Sequence, residues 1–164
     1  MRMKDFLKYL DAAMESNLRS DLQADYKPKG HLSLSNFNEK KIAKITPEMK
    51  ESPITFLKHV NVDRDSTYIW YDGKDIVELG SVRYNDPNHN WITAIQVNPK
   101  YRGNGLGDQI LDFCVKTLKG NALAVASDNK IAFEMYKKRG FSVSKESLAD
   151  VEAGRRHVYF MYLK

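Results

Sequence analysis

Between residues 97 and 107 the chain reads Val97-Asn98-Pro99-Lys100-Tyr101-Arg102-Gly103-Asn104-Gly105-Leu106-Gly107, with three glycines in five positions. An apolar run ends where this stretch begins, and an apolar stripe at helical spacing starts where it ends. The order is therefore strand, tight bend, helix. Glycine takes φ > 0 without a Cβ penalty and lets the main chain approach a ligand, so successive N–H groups can converge on an oxyanion. The orphan N–H groups of the helix and the positive end of its dipole favour the same anion, and Arg102 supplies a formal charge. The bend reads as an anion cradle, although a plain glycine-rich turn has the same composition.

The 164 residues suit a single domain spanning 1–164, because a chain of that length buries roughly two-thirds of its unfolded surface. The longest unbroken apolar run, Val158 to Leu163, has six residues, far short of the ~20 needed to span a bilayer. Arg2, Lys4, Asp5, Lys8, Asp11, Glu15 and Arg19 leave no room for a signal-peptide apolar segment, so a cytoplasmic protein with no membrane partner is expected. The lone Cys114 excludes an internal disulfide, and His31, His59, His89 and His157 show no ligand-like spacing, so no metal is expected. The net charge of +5 comes from 26 basic and 21 acidic residues spread along the chain. That excess suits an anionic cofactor and gives no ground for a nucleic-acid partner.

Spacings of three and four over residues 3–18 predict an amphipathic helix. From Ser20 to Pro53 the pattern weakens; strands over Leu32–Phe37 and Lys41–Thr46 and a helix over Ile54–Val60 are expected. Thr67–Tyr71 and Ile76–Tyr84 read as a hairpin across Asp72-Gly73-Lys74, and Trp91–Val97 as the next strand. Ile95 and Val97 share a face from which Ile92 is odd, a parity that a β-bulge repairs. Leu106, Ile110, Cys114 and Leu118 then form a helical stripe that ends near Gly120. A buried strand, Ala122–Ala126, precedes a helix from about Asn129 to Lys138, capped by Asp128 or Ser127 and closed by Gly140. Phe141–Ser144 and His157–Leu163 are two closing strands around a polar connection. This order predicts an α+β, mixed α/β domain: a central, mostly antiparallel sheet of about 6–7 strands flanked by helices.

Two phosphate-binding alternatives fail. Asp108-Gln109 stand where a P-loop needs Lys-Ser/Thr, and the spacing Gly-x-Gly-x-Gly, after a meander, departs from the dinucleotide fingerprint. Val97-x-Pro99-x-Tyr101-Arg102-Gly103-x-Gly105-Leu106-Gly107, followed by Asn129-x-x-Ala132-Phe133-x-x-Tyr136-x-x-x-Gly140-Phe141, instead resembles the GNAT family of N-acetyltransferases, whose members use acetyl-CoA. The resemblance covers Thr67 to Phe141 and the last strand. Residues 1–65 form an atypical N-terminal part beside an acetyl-CoA-binding core over 66–164.

The resemblance implies a bulge and a splay at the acetyl-CoA site. It places the pyrophosphate on the amides of Arg102, Gly103, Asn104, Gly105, Leu106 and Gly107, and the pantetheine arm along Ile95, Gln96 and Val97. Asn129 would reach the pantetheine or the substrate, and Tyr136 would be the general acid. The alternatives are a helix cap for Asn129 and, for Tyr136, a core aromatic with its hydroxyl satisfied elsewhere. The implied reaction moves an acetyl group directly to a primary amine on a small molecule or peptide. Several family members use a glutamate base on the strand before the glycines, whereas Trp91-Ile92-Thr93-Ala94-Ile95-Gln96 contains no acid. Glu78, Asp86 and His89 are the candidate residues left, with water-mediated proton release through backbone carbonyls as the alternative to all three; Glu78 and His89 are ordinarily surface residues in such strands. Cys114, on the apolar helical stripe, reads as a buried, inert thiol. Two other readings stay open: a non-catalytic acyl-CoA-binding module, and an RNA-associated enzyme acting on aminoacyl-tRNA. A homodimer through the final strand is compatible with all of them.

Overall fold

The computed structural model describes residues 32–54, 57 and 60–164. Seven strands form one sheet: β1 (Asn38–Ile42), β2 (Asp65–Asp72), β3 (Asp75–Arg83), β4 (Trp91–Val97), β5 (Ala122–Ala126), β6 (Phe141–Val143) and β7 (Val158–Leu163), in the order β1-β2-β3-β4-β5-β7-β6. Every pairing is antiparallel except β4 with β5. The helices are α1 (Pro47–Lys50), α2 (Leu106–Lys116), α3 (Lys130–Arg139) and α4 (Lys145–Glu152). This is the mixed, mostly antiparallel sheet that the order of sequence signals predicts.

Neighbouring residues of a strand point to opposite faces, and the sheet buries two separate cores accordingly. Trp70, Val82, Ile92 and Ile95 lie under Ile110, Leu111 and Cys114 of α2 and Ala132 and Tyr136 of α3. Ile69, Ile76, Leu79 and Ala94 face the other way, toward Met49 of α1 and the buried Ile54, Leu57 and Val60. Helix α2 comes so close to β3 that a Cβ at Gly80 would stand 2.7 Å from Ile110 Cγ2 and 3.1 Å from Cys114 Sγ. Only glycine leaves room for that approach.

Two bulges shape the sheet. Trp70 pairs with Glu78 but Tyr71 with Ile76, which leaves Val77 extra in β3. Ser81 pairs with Ala94 but Val82 with Ile92, which leaves Thr93 extra in β4, where the parity of the apolar residues requires it. Beyond that point β4 and β5 part: Trp91↔Ala122 and Ile92↔Leu123 are their paired positions.

Several expectations need correction. Leu32–Phe37 is no strand; Leu34–Asn36 is a 3-10 turn capped by Ser33, and β1 follows it. Of the strand expected over Lys41–Thr46, Lys41 and Ile42 belong to β1, while Thr46 caps α1 through Met49 N–H. The connection before β7 holds α4, capped by Ser144, and buries Ser147, whose hydroxyl accepts from Phe160 N–H at 2.7 Å. The expected helix over 3–18 lies outside the described residues, as does part of the one over 54–60.

Candidate active site

Strand β4 leads into the bend through Asn98, which is held twice by β3. Its N–H donates to Val77 O at 2.7 Å and its Nδ2 to Ile76 O at 2.9 Å. Pro99–Tyr101 make a 3-10 turn, after which Arg102 Nε returns to Val97 O at 3.2 Å. The Tyr101 hydroxyl donates to Asp72 Oδ2 and Lys100 pairs with Asp75, both at 3.0 Å, so the bend is tied to the β2–β3 turn as well. Burial and the Asp72 carboxylate push the Tyr101 hydroxyl up to about 12.

Gly103 and Gly105 have φ of 82° and 77°, the left-handed region in which a side chain is strained. Gly105 is also the N-cap of α2 and offers its first turn no side-chain oxygen. Gly107 is different: it sits within α2, where an added Cβ would meet Met135 Sδ at an ordinary 3.7 Å. Asn104 is buried, and its Nδ2 donates to Tyr101 O at 2.8 Å, closing the loop on itself.

The gap between β4 and β5 opens directly from this bend. Because Asn98 N–H points to β3, alternation along the strand turns the main-chain groups of Val97 and Ile95 away from β3, into the gap, and those of Gln96 back toward β3. A cavity of about 310 Å³ runs along the gap. Ile95, Val97, Arg102, Gly103, Gly105, Leu106, Gly107 and Tyr136 of the expected site line it. Gln96, Asn104 and Asn129 lie outside that lining, with Gln96 buried.

Helix α3 supplies the far wall. Its cap is Asn129 rather than Asp128 or Ser127: Asn129 Oδ1 accepts from Ala132 N–H at 3.1 Å. Tyr136, buried, faces the cavity and packs edge-on against Phe141, with ring centroids 6.4 Å apart. Arg139 pairs with Asp112 of α2 at 2.6 Å, which locks the two helices, while Lys137 and Lys138 are exposed. Sequence reasoning missed Tyr101, Asp108, Ile131, Ala132 and Met135 as cavity residues. The signal was available: Ile131 is an apolar residue on the helix's outer side, and it is 81% exposed.

The three base candidates separate. Asp86 and His89 stand at the start of β4, away from the gap. Asp86 accepts from Trp91 Nε1 at 3.0 Å, a bond that holds its carboxyl below the usual range, and the His89 ring lies 4.7 Å from that of Tyr162. Glu78, expected at the surface, is fully buried, with both carboxylate oxygens lacking a hydrogen-bond partner among the described residues. Burial pushes it up to about 8. Cys114 is buried as expected, its thiol pushed up to about 12.

Comparison with known proteins gives this geometry a setting. The model of the acetyltransferase (GNAT) family matches residues 21–141, reaching further toward the N-terminus than the glycine motif and its partner do. A mycothiol acetyltransferase of Corynebacterium glutamicum (strain R) is 31% identical over 88 residues, which cover 51% of this chain and 30% of that protein. The match thus spans less than a third of that relative's length. Among solved structures, the IAA acetyltransferase from Bacillus cereus ATCC 14579 aligns with a TM-score of 0.57 at 18% identity, over 77% of this chain and 98% of that one. A Bacillus subtilis acetyltransferase solved with CoA aligns with a TM-score of 0.56 at 13% identity, over 78% and 98%. At such identities the two structures speak for the shared fold.

Proposed function

The chain belongs to the acetyltransferase (GNAT) family, and from that premise we propose that it transfers an acetyl group directly from acetyl-CoA to a primary amine, on a small molecule or a peptide. The observation that carries this reading is the continuity of three parts: a bend with two left-handed glycines, a strand end whose main chain faces an open gap, and a buried tyrosine on the opposite wall.

Bound acetyl-CoA supplies an activated thioester. The amides from Arg102 to Gly107 hold its pyrophosphate, with the open first turn of α2 adding the positive end of the helix. Ile95 and the N–H of Val97 take the pantetheine amides as a neighbouring strand would, using main-chain groups that β5 does not pair, while the Val97 carbonyl accepts from Arg102 Nε. One of their N–H groups meets the negative charge that develops on the thioester oxygen; removing such a donor typically costs about 10² to 10³ in rate. Leu106, Ala132 and Met135 make an apolar wall that excludes water. Asn129 fixes the start of α3 and with it the places of Ala132 and Tyr136.

Tyr136 donates the proton that the departing thiolate needs and recovers one from the attacking nitrogen, which sheds its second proton as the amide forms. A free amine of pKa about 10.4 must itself lose a proton before it attacks, and water leading out of the gap carries that proton away. Calorimetry with acetyl-CoA, combined with thiol release over an amine panel, tests the reading. Uptake of acetyl-CoA that Gly105→Val abolishes, with release that depends on an amine, is the expected result. Uptake with no amine-dependent release would make the chain a binding module, a reading favoured by the buried Gln96 and the lack of an acid on β4.

A further inference from the structure

Glu78 is the one carboxylate among the described residues with both oxygens buried and no hydrogen-bond partner there. A charge in such a place is costly, and proteins ordinarily pair it or do without it. Its position follows from the sheet register. Glu78 lies opposite Trp70 of β2 and Val97 of β4, so these three side chains share a face, and Val97 lines the cavity. The face is the one under α2, because Gly80, two residues along, meets Ile110 and Cys114.

The step from Gly80 to Glu78 follows β4 from Ile95 to Val97, toward the glycine bend where α2 begins. Two strand residues advance about 6.6 Å, the rise of about four helical residues. Starting from Ile110, that step reaches Leu106, so the carboxyl lies beneath the first turn of α2. The carbonyls of Ile76 and Val77, next to it in sequence, hold Asn98 at the entrance to the bend. One helix end therefore stands between a buried carboxyl below and the expected polyphosphate above.

Two like charges in one poorly solvated place oppose each other, and the one that can take a proton does so. We propose that Glu78 is a positioning residue of the cofactor site: its neutral carboxyl fills the space beneath the glycine bend, its ionised form weakens the hold on the polyphosphate, and cofactor binding is therefore linked to proton uptake. The proposal rests on the reading of the bend as the polyphosphate site.

The elements around Glu78 carry the following charged and titratable groups. The bend brings Lys100, paired with Asp75 of β3, and Tyr101 and the half-buried Arg102; α2 brings the exposed Asp108, Asp112 paired with Arg139 and Lys116, and Cys114; β2 brings Asp65, paired with Arg83 of β3, and Tyr68, Tyr71 and Asp72. Ile95 and Val97 of β4 and residues 32–37 bring none. The Tyr101 hydroxyl and the Cys114 thiol are both pushed up to about 12, so neither changes charge alongside Glu78.

Calorimetry with CoA from pH 6.5 to 9.5, in two buffers of different ionisation heat, tests the linkage. The wild-type affinity should fall above pH 8, by at most about tenfold per pH unit for one linked proton, with net proton uptake near pH 8. Glu78→Gln should flatten the profile and abolish the uptake, and Glu78→Leu, which removes the carboxyl altogether, should do the same. In the wild type at pH 8, CoA should strengthen the infrared band of a protonated carboxyl that Glu78→Gln lacks. Parallel wild-type and variant profiles, with binding intact, overturn this proposal alone. No CoA binding by any of the proteins at any pH overturns the cofactor reading and the proposal with it. Loss of turnover in Glu78→Gln at saturating acetyl-CoA, with an unchanged binding profile, makes Glu78 a proton acceptor in the reaction and overturns the positioning role.

Discussion

The two ends of β4, a strand of seven residues, have opposite fates. At its start, Trp91 and Ile92 are paired with neighbours on both sides, and Trp91 is fixed by Asp86 and packed edge-on against Phe160 and Tyr162. At its end, Ile95 and Val97 keep β3 and lose β5. The border is Thr93, the extra residue. One inserted residue thus divides a strand into a part that holds the sheet together and a part whose main chain is available to a ligand. Unsatisfied main-chain groups are costly when dry, so the open end stands only because it lines a cavity.

That contrast can be broken at the open end with the largest effects. Gly105→Val forces a β-branched residue to φ near 77° at the head of α2, and acetyl-CoA affinity by calorimetry should fall by about 10². Tyr136→Phe should lower turnover by about 10² under conditions where chemistry limits the rate, while leaving acetyl-CoA affinity within about twofold. Equal losses in both quantities would return Tyr136 to a packing role.

Glu78 sharpens the comparison through stability. Its carboxyl is raised from 4.5 to about 8, so the folded state holds a proton that the unfolded chain releases. Its contribution is complete below pH 4.5 and is lost as the pH rises through 8, at up to about 1.4 kcal/mol per unit. Urea unfolding between pH 5 and 9 should show that decline in the wild type and a flatter course in Glu78→Gln. The smallest effect belongs to the closed end. Asp86→Asn weakens the bond from Trp91 Nε1 and should cost about 1 kcal/mol of stability with no change in acetyl-CoA affinity.

The same contrast explains what could be read from the sequence. Ile92, Ile95 and Val97 announce the bulge because two faces of the sheet are buried, and a parity error there would bury the wrong side chains. The stripe Leu106, Ile110, Cys114 places α2 for the same reason, and the glycine bend and Tyr136 fall where their spacing put them. Strand β1 was expected only from Lys41 on, because Asn38–Lys41 lies exposed at the sheet edge, where main-chain pairing with β2 makes a strand that no apolar alternation marks. Helix α4 was hidden by its exposure, with Ser147 its buried anchor. Glu78 was misjudged because a carboxylate reads as solvated, and only the structure, with α2 packed close over Gly80 two residues along, shows that the side chain is fully buried. Asn129 rather than Asp128 is the cap because the helix starts at Lys130, one residue later than expected, and the capping oxygen comes from the residue just before it.

Ser33, Thr46, Asn129 and Ser144 each complete the helical turn that follows with an oxygen of their own. Gly105 has none to give. Whatever anion rests on α2 therefore finishes that helix, and occupancy becomes a part of its secondary structure. Amide exchange at Leu106–Gln109 should slow when the guest arrives and quicken when it leaves, so a local clock in the backbone reports whether the site is loaded.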